Sequence, residues 1–167
     1  MTMGGSWSYV PGDHYKSAEE LIHLLVKIVS RGGNFLLNIG PGPDGDWDPA
    51  AYQRLEEIGR WMKVNDIGIY ESRPLAPYSS DNIYFTQHTG GKTWYAYYLN
   101  DSTGRPLPGQ VVLKNLVAPK GSKISLPGGA ATLKWKVENG NTLISLPPSV
   151  NGRIDTRYAV VFRIQLP

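Results

Sequence analysis

The carboxylates with the most suggestive spacing lie in the loop Asp44-Gly45-Asp46-Trp47-Asp48. Alternate acidic residues can converge on a calcium ion, because this hard cation prefers oxygen ligands. The pattern fails as a calcium loop: counted from Asp44, the sixth residue is Pro49 rather than glycine and the twelfth is Leu55 rather than glutamate. The segment therefore indicates a loop that ends in a helix N-cap, and we expect no metal site and no cofactor.

A second pair that could do chemistry is Asp13 beside His14, since a histidine next to an aspartate can act as an acid or a base. Adjacent residues of an extended chain point in opposite directions, so the sequence favours a loop contact for this pair. A new hydrolytic site, assembled by oligomerisation, stays a remote alternative, and no spacing supports a specific pair for it. The carboxylates available to it are Asp13, Asp44, Asp46 and Glu71.

The aromatic residues are mostly polar-tipped, with five Trp and ten Tyr against three Phe. Such rings suit carbohydrate binding, and they also suit the core of a β-sandwich. The net charge of +3 is small and the lysines are spread out, which argues against a nucleic-acid partner. The absence of cysteine excludes disulfides and thiolate metal sites and leaves the redox compartment open.

No apolar run approaches the about 20 residues that a membrane-spanning helix needs. The N-terminal residues contain no basic stretch followed by an apolar one, so no signal peptide is indicated. We expect a soluble chain with no membrane partner, in a compartment that the sequence leaves unknown. Asn100-Asp101-Ser102 fits a glycosylation acceptor, which matters only if the protein is secreted by a eukaryote.

The first 70 residues carry the pattern of an α/β architecture. Ser17 and Glu20 form a capping box ahead of apolar residues at helical spacing, and Asp48 and Pro49 open a second helix. Between the helices, the apolar run 34–39 predicts a strand covered on both faces in a parallel sheet. His23 falls outside the apolar stripe of the first helix, which indicates a solvated side chain.

After about Tyr70 the hydrophobic period changes from 3.6 to 2 residues, with frequent Gly and Pro turns, which predicts an antiparallel sandwich. In one strand the alternation directs Leu133, Trp135 and Val137 to the core. The change of period places a domain boundary between residues 72 and 73. The predicted strands are Asn82 to Gln87, Lys92 to Asn100, Gln110 to Lys114, Ala131 to Glu138, Thr142 to Leu146 and Arg157 to Gln165.

The strand predicted at 34–39 lacks parallel neighbours, because nothing else before residue 70 has the pattern of a second strong parallel strand. One strand with two helices cannot close a barrel. We therefore expect either that the chain is a fragment of a larger protein or that it covers the open edge by oligomerising.

Several blocks of residues, in order, resemble the closing segment of glycoside hydrolase family 29, the α-L-fucosidases. The blocks are Ser6-Trp7-Ser8-Tyr9, Ser17-Ala18-Glu19-Glu20-Leu21-Ile22, Val29 to Pro41 with Gly32-Gly33-Asn34-Phe35-Leu36-Leu37-Asn38, Asp44-Gly45 and Ile58-Gly59-Arg60-Trp61. The resemblance covers residues 1 to 72 closely, and the rest is similar to the family's C-terminal sandwich through weaker motifs. It implies a remnant of a (β/α)8 barrel at 1–72 followed by a β-sandwich at 73–167.

The resemblance implies a retaining hydrolase that removes terminal α-L-fucose, with two carboxyl groups about 5 Å apart. The family's nucleophilic Asp and acid/base Glu lie before the Trp7 motif, as do the histidines that hold the fucose hydroxyls, so neither catalytic position falls within residues 1–167. This chain alone is then expected to have weak or no activity. Its partners would be a fucosylated glycan or other carbohydrate, and a second copy or an N-terminal barrel portion. The candidate substrate-binding residues are Trp7, which would pack against the fucose ring, and Tyr9, His14, Asp46 and Trp47.

The main alternative is a carbohydrate-binding or scaffold module in which the sandwich is the functional part. Trp94, Tyr95, Tyr97 and Tyr98 lie on one strand, and alternation sends Trp94 and Tyr98 to one face and Tyr95 and Tyr97 to the other. One pair must belong to the core, so at most one pair could form an exposed platform for a sugar.

Overall fold

The computed structural model describes residues 1–100, 103, 105–128, 132–150 and 154–167. Asp101 and Ser102 of the glycosylation acceptor, and Ala131 at the start of a predicted strand, lie outside the described residues. Two α-helices, α1 (Ala18–Val29) and α2 (Pro49–Asn65), precede the strands, and short 3-10 helices occur at Asp66–Gly68 and Pro148–Val150. The strands are β1 (Ser72–Ser80), β2 (Ile83–His88), β3 (Thr93–Leu99), β4 (Gln110–Leu113), β5 (Lys123–Ser125), β6 (Lys134–Glu138), β7 (Asn141–Ser145) and β8 (Ala159–Gln165).

Both helices begin where the sequence predicts them. The Ser17 hydroxyl accepts a hydrogen bond from the Glu20 amide (3.1 Å), and the Glu20 carboxylate accepts one from the Ser17 amide (2.8 Å), so the capping box is confirmed. The Asp48 carboxylate accepts a hydrogen bond from the Ala50 amide (2.8 Å), and Pro49 occupies the first helical position.

The strands form two antiparallel sheets, as expected for a sandwich. The larger sheet has five strands in the order β1-β2-β3-β8-β5, and the smaller has three in the order β4-β7-β6. Their facing side chains form one hydrophobic core, in which Phe85, Leu113, Ile144 and Phe162 are fully buried.

The helices cover the other face of the five-stranded sheet. Ile22 and Val26 of α1 and Trp61 of α2 share a buried cluster with Tyr95 and Tyr97 of β3. Alternation along β3 explains this, because successive side chains point to opposite faces. The five-stranded sheet is therefore the middle layer of three, between the helices and the smaller sheet.

Every predicted strand has an observed counterpart within the described residues, and the sequence missed two more, β1 and β5. Strand β1 contains Pro74 and Pro77, which argue against a strand because proline has no amide hydrogen to donate. It forms nonetheless because it lies at the edge of its sheet and pairs with β2 on one side only. Strand β5 was missed because it has only three residues.

The prediction that Val137 faces the core is wrong. Leu133 is buried and Trp135 packs against the core as predicted, but Val137 is 44% exposed. It lies near the end of β6, which is an edge strand of the smaller sheet. The facing sheet does not cover it there.

The apolar run 34–39 is not the strand buried on both faces that its pattern predicts. It forms one isolated parallel bridge, between Thr2 and Asn38, and Leu36 is 73% exposed. Phe35, Leu37 and Ile39 pack with the helices, so one face is covered and the other is not. The pairing partner, Met1 to Met3, was missed because it is short and polar at its centre.

The predicted boundary between residues 72 and 73 falls at the beginning of β1, which starts at Ser72. Side chains on both sides of it share a core, and the Trp61 Nε1–H of α2 donates to the Ala159 carbonyl of β8 (2.8 Å). The division of the chain into residues 1–72 and 73–167 stays a prediction.

Candidate functional site

Trp7 lies in an exposed loop whose backbone is fixed by the apolar run 34–39 and the residues after it. Its side chain is 65% exposed, and its carbonyl accepts a hydrogen bond from Asn38 Nδ2 (3.0 Å). A Cβ atom at Gly40 would lie 2.5 Å from the Tyr9 amide nitrogen, so only glycine allows this close approach of the two backbones. The indole is thus presented to solvent from an anchored main chain.

Tyr9 connects the Trp7 loop to the loop that contains Asp46. The ring is half-buried beside Gly42, where a Cβ atom would lie 3.8 Å from Tyr9 Cε2. The Gly42 amide donates to the Asp46 carbonyl (2.7 Å). The Trp7 loop and the loop that contains Asp46 therefore lie side by side, in contact at Gly40 and Gly42.

The Asp46 carboxylate is tied to the beginning of α2. It accepts hydrogen bonds from the Tyr52 hydroxyl and from the Trp47 amide (2.9 Å), and the Trp47 and Tyr52 rings lie 5.5 Å apart between centroids. These two bonds, the one from Tyr52 first, hold the pKa of Asp46 below its ordinary value, and the bond to Asp46 raises the pKa of Tyr52. Asp46 is therefore held ionised, as an acceptor rather than a proton donor.

Asp13 makes the loop contact that the sequence favours. Its Oδ2 atom accepts a hydrogen bond from the Gly5 amide (2.8 Å), and its Oδ1 atom accepts one from the His14 amide (2.8 Å). The His14 side chain is exposed, and among the described residues it makes no hydrogen bond to Trp7 or Asp46. The role of His14 in substrate binding stays a prediction.

The four carboxylates considered for a new hydrolytic site are engaged separately. Asp44 accepts a hydrogen bond from the Asp46 amide (3.3 Å), and Glu71 lies 3.3 Å from His88 Nε2. Within the described part of the chain, no three His, Cys, Asp or Glu residues are grouped so that they could hold a metal ion. No observation brings two of these carboxylates together as an acid and a nucleophile.

Sequence reasoning missed Tyr52 and Tyr15 as parts of this region. Tyr52 lies in the first turn of α2, where its spacing from the N-cap Asp48 could have indicated that its ring returns to the loop. Tyr15 is half-buried, and burial first, then the charges of Asp48 and Asp13, raises its pKa. The Tyr15 hydroxyl therefore stays neutral, near the carboxylates of Asp13 and Asp48.

The prediction that His23 is solvated is wrong. Its Nε2 atom lies 3.0 Å from the Asn100 carbonyl and 2.9 Å from the Tyr158 carbonyl, so it links α1 to the ends of β3 and β8. The apolar stripe gave no sign of this, because the acceptors are backbone atoms far away in the sequence.

Strand β3 presents no fully exposed aromatic pair. Tyr95 and Tyr97 are buried beneath the helices, while Trp94 and Tyr98 are half-buried and pack against the sandwich core. The platform that the carbohydrate-module alternative required is therefore not present on this strand.

Two cavities lie outside the predicted site. One, of about 230 Å³, is lined by Trp61, Val64, Leu126, Ile154 and Asp155. The other is a more polar groove of about 550 Å³ beside His23 and Lys27. In the described residues, neither helix is long and apolar enough to cross a membrane.

The sequence profile of the α-L-fucosidase family matches residues 1–67. The human tissue α-L-fucosidase is 33% identical over 147 residues, which cover 87% of this chain and 31% of that protein. The mouse tissue α-L-fucosidase is 38% identical over 132 residues, which cover 77% of this chain and 28% of that protein. The chain spans about a third of the length of the curated relatives it matches.

Solved structures share this fold. That of the Thermotoga maritima α-fucosidase in complex with fucose superimposes with a TM-score of 0.84 at 24% identity, over 98% of this chain and 38% of that one. That of α-L-fucosidase isoenzyme 1 from Paenibacillus thiaminolyticus gives a TM-score of 0.81 at 24% identity, over 100% of this chain and 39% of that one.

Helices on one face of a sandwich are thus an architecture that this chain shares with solved glycoside hydrolases. Profile, relatives and fold agree with the resemblance in the sequence blocks, and the chain belongs to glycoside hydrolase family 29, the α-L-fucosidases.

Proposed function

We propose that this chain supplies one side of the sugar site of an α-L-fucosidase-like glycoside hydrolase, with Trp7 packing against terminal α-L-fucose. The observation that carries the proposal is the Trp7 loop itself: an indole 65% exposed on a main chain fixed by Asn38 and Gly40. A large aromatic side chain left in solvent by a well-fixed loop favours ligand binding over packing. Its flat face suits the C–H face of a pyranose.

The other predicted site residues have lesser roles in this proposal. Tyr9 positions the loop through its contact with Gly42. Asp46 and Trp47, joined to Tyr52, form the rim of the site on the α2 side. His14, exposed beside Asp13, is kept as a candidate contact for the sugar.

We propose further that the two catalytic carboxylates lie outside these 167 residues. Retaining hydrolysis needs a nucleophile and a general acid about 5 Å apart, and the acid needs a raised pKa. The pKa of Asp46 is lowered instead, and Asp13 is occupied by two backbone amides. The chain then contributes binding, and another polypeptide segment contributes the bond-breaking groups.

The half-covered run 34–39 supports the proposal that residues 1–72 belong to a (β/α)8 barrel. Its hydrogen bonds with Met1 and Met3 are parallel, as in a barrel wall. Among the described residues, the backbone groups of Phe35, Leu37 and Ile39 have no backbone partner. Further parallel strands, from the N-terminal portion of the barrel or from a second copy, would satisfy this edge.

The experiment that tests the sugar site is a titration of the 167-residue chain with methyl α-L-fucoside, followed by amide and indole NMR shifts. Trp7→Ala should weaken binding by about tenfold or more, because a stacked aromatic ring supplies much of the energy of such a weak contact. Tyr70→Ala is the matched control, since Tyr70 is also 64% exposed but lies outside the site. Equal affinity in wild type and Trp7→Ala would refute the role of Trp7.

The assignment of the catalytic groups is tested on the same sample with an aryl fucoside. We expect no release of p-nitrophenol by the purified chain, because removal of a nucleophile costs many orders of magnitude in rate. Robust release would place catalytic carboxylates within the chain.

Light scattering after size exclusion tests whether a second copy covers the open edge of the run 34–39. An oligomer is expected if it does. A sharp monomer mass at micromolar concentration would contradict pairing with a second copy.

A further inference from the structure

The Trp7 loop, defined as residues 5–13, has little backbone structure of its own. Among the described residues, its one backbone-to-backbone hydrogen bond runs from the Asp13 amide to the Val10 carbonyl (3.1 Å). That bond closes a turn in which Gly12 has a positive φ of 71°, a conformation that favours glycine. The half of the loop that contains Trp7 makes no such bond, so side chains must hold it in place.

The Asp13 carboxylate closes the loop at its base. Its Oδ2 atom accepts a hydrogen bond from the Gly5 amide (2.8 Å), eight residues earlier in the chain, and its Oδ1 atom accepts one from the His14 amide (2.8 Å). A carboxylate can accept several hydrogen bonds, and such bonds are stronger than those between neutral groups. A single side chain therefore joins the two ends of the loop.

Two glycines pack against the same carboxylate. A Cβ atom on Gly4 would overlap Asp13 Oδ2, and one on Gly5 would lie 3.1 Å from Oδ1. Neither glycine has a positive φ, so the close approach of the carboxylate is what favours glycine at these positions. The main chain that leads into Trp7 is thus in direct contact with the Asp13 side chain.

The residues just before the loop are fixed to the helices. Met3 is fully buried and shares a cluster with Leu21 of α1. The Lys16 amide donates to the Met3 carbonyl (2.9 Å), and the Lys16 ammonium donates to the Gly4 carbonyl (3.1 Å). Asp13 therefore ties the loop to a segment that is itself packed against α1.

A second side chain holds the loop from another direction. Asn38 Nδ2 donates to the Trp7 carbonyl (3.0 Å), while Asp13 holds the amide of Gly5 two residues earlier. One such contact would leave the main chain free to rotate about it, and two separate contacts fix the direction of the Trp7 side chain. The indole is 65% exposed, so packing contributes little to its orientation.

We propose that Asp13 is a positioning residue for sugar binding, which holds the Trp7 indole in the orientation that contacts the fucose ring. This inference rests on the proposed role of Trp7. Asp13 does not touch the sugar: it limits the conformations of the loop before the ligand arrives, which lowers the entropy cost of binding. Without it, only a fraction of the molecules present the indole correctly, and the apparent affinity falls with that fraction.

The first measurement needs no sugar. NMR relaxation of the ¹⁵N-labelled chain gives the order parameters of the backbone amides of residues 5–9. We expect about 0.85 in the wild type, as in rigid backbone, and less than about 0.6 in Asp13→Ala, as in a flexible loop. Asp13→Asn keeps one acceptor oxygen and should give values between these; it replaces Asp13→Ala if that variant fails to fold.

The matched control is Glu138→Ala. It removes a carboxylate from β6, in the smaller sheet, and should keep the wild-type order parameters in the loop. Wild-type values in both Asp13 variants, or an equal loss of order in Glu138→Ala, would overturn the proposal.

The second measurement uses methyl α-L-fucoside and separates positioning from a general loss of structure. Asp13→Ala should weaken binding by about fivefold. In a chain that already carries Trp7→Ala, the same substitution should have no further effect, because Asp13 acts only through the indole. An equal further loss in both backgrounds would show that Asp13 acts independently of Trp7, and would overturn the proposal.

The two proposals about this loop fail in different ways. If the wild type and Trp7→Ala bind the fucoside equally, the proposed role of Trp7 is refuted, and the role of Asp13 in sugar binding with it. If Trp7→Ala loses affinity while Asp13→Ala binds like the wild type, the role of Trp7 stands and that of Asp13 is overturned.

Discussion

The central strands β3 and β8 and the run 34–39 are all rich in apolar residues, but they are covered differently. The sheet lies between the helices and the smaller sheet, so both faces of β3 and β8 are buried. The run 34–39 has helices on one face only and leaves Leu36 in solvent. The difference shows that apolar character alone does not bury a segment: a second layer must be supplied, by this chain or by another.

This comparison predicts which substitutions destabilise the chain most. Phe162→Ala removes a fully buried ring from the sandwich core and should lower the free energy of unfolding by about 3–5 kcal/mol. Leu36→Ala should change it by less than about 0.5 kcal/mol, because the side chain is already exposed. Urea unfolding of the two variants measures both. A large loss for Leu36→Ala would show that the open face is covered in solution.

An intermediate effect is expected at the contact between the helices and the sheet. Trp61→Phe keeps most of the ring but removes the Nε1–H that donates to the Ala159 carbonyl, and should cost about 1–3 kcal/mol. Trp47→Phe, on the exposed rim, is the control and should be nearly neutral. Urea midpoints of both variants measure this. Equal small effects would mean that the helices contribute little to the stability of the sheet.

A smaller loss of stability than that of Trp61→Phe is expected at the beginning of α1. Ser17→Ala should cost about 1 kcal/mol by removing the capping box. Hydrogen bonds from the Ser17 amide and then its side chain lower the pKa of Glu20. Because this pKa is lower in the folded than in the unfolded chain, the stabilisation is present above the unfolded value and is lost as pH falls through the folded value.

The pH dependence is measured against Glu20→Gln. The stability difference between wild type and Glu20→Gln, from urea midpoints, should shrink as pH falls from about 7 to about 3. A difference that stays constant with pH would mean that the Glu20 charge is not what stabilises the cap.

The helices and most strands could be predicted from the sequence because their signals are local. The Ser17 capping box, the Asp48-Pro49 helix start and the period-2 alternation of β3 each act over a few residues. Strand β1 could not, because its prolines are tolerated only at an edge, and edge position is a property of the whole sheet. The exposure of Leu36 could not be predicted from the sequence either, because it depends on which other strands are present.

The candidate site was predictable in part. The sequence blocks identified the Trp7 and Asp46 segments, and the structure joins them through Gly40 and Gly42. Their substrate-binding roles stay predictions.

The prolines of β1 have a consequence for self-association. An exposed strand edge with free amide hydrogens can recruit further copies and grow into fibres. Pro74 and Pro77 withhold two of those hydrogens on one edge of the five-stranded sheet, and on the other edge β5 offers only three residues. Both edges of the five-stranded sheet are therefore poor templates for pairing with another copy, and we expect this sheet to resist cross-β growth better than a sheet edged by long, proline-free strands.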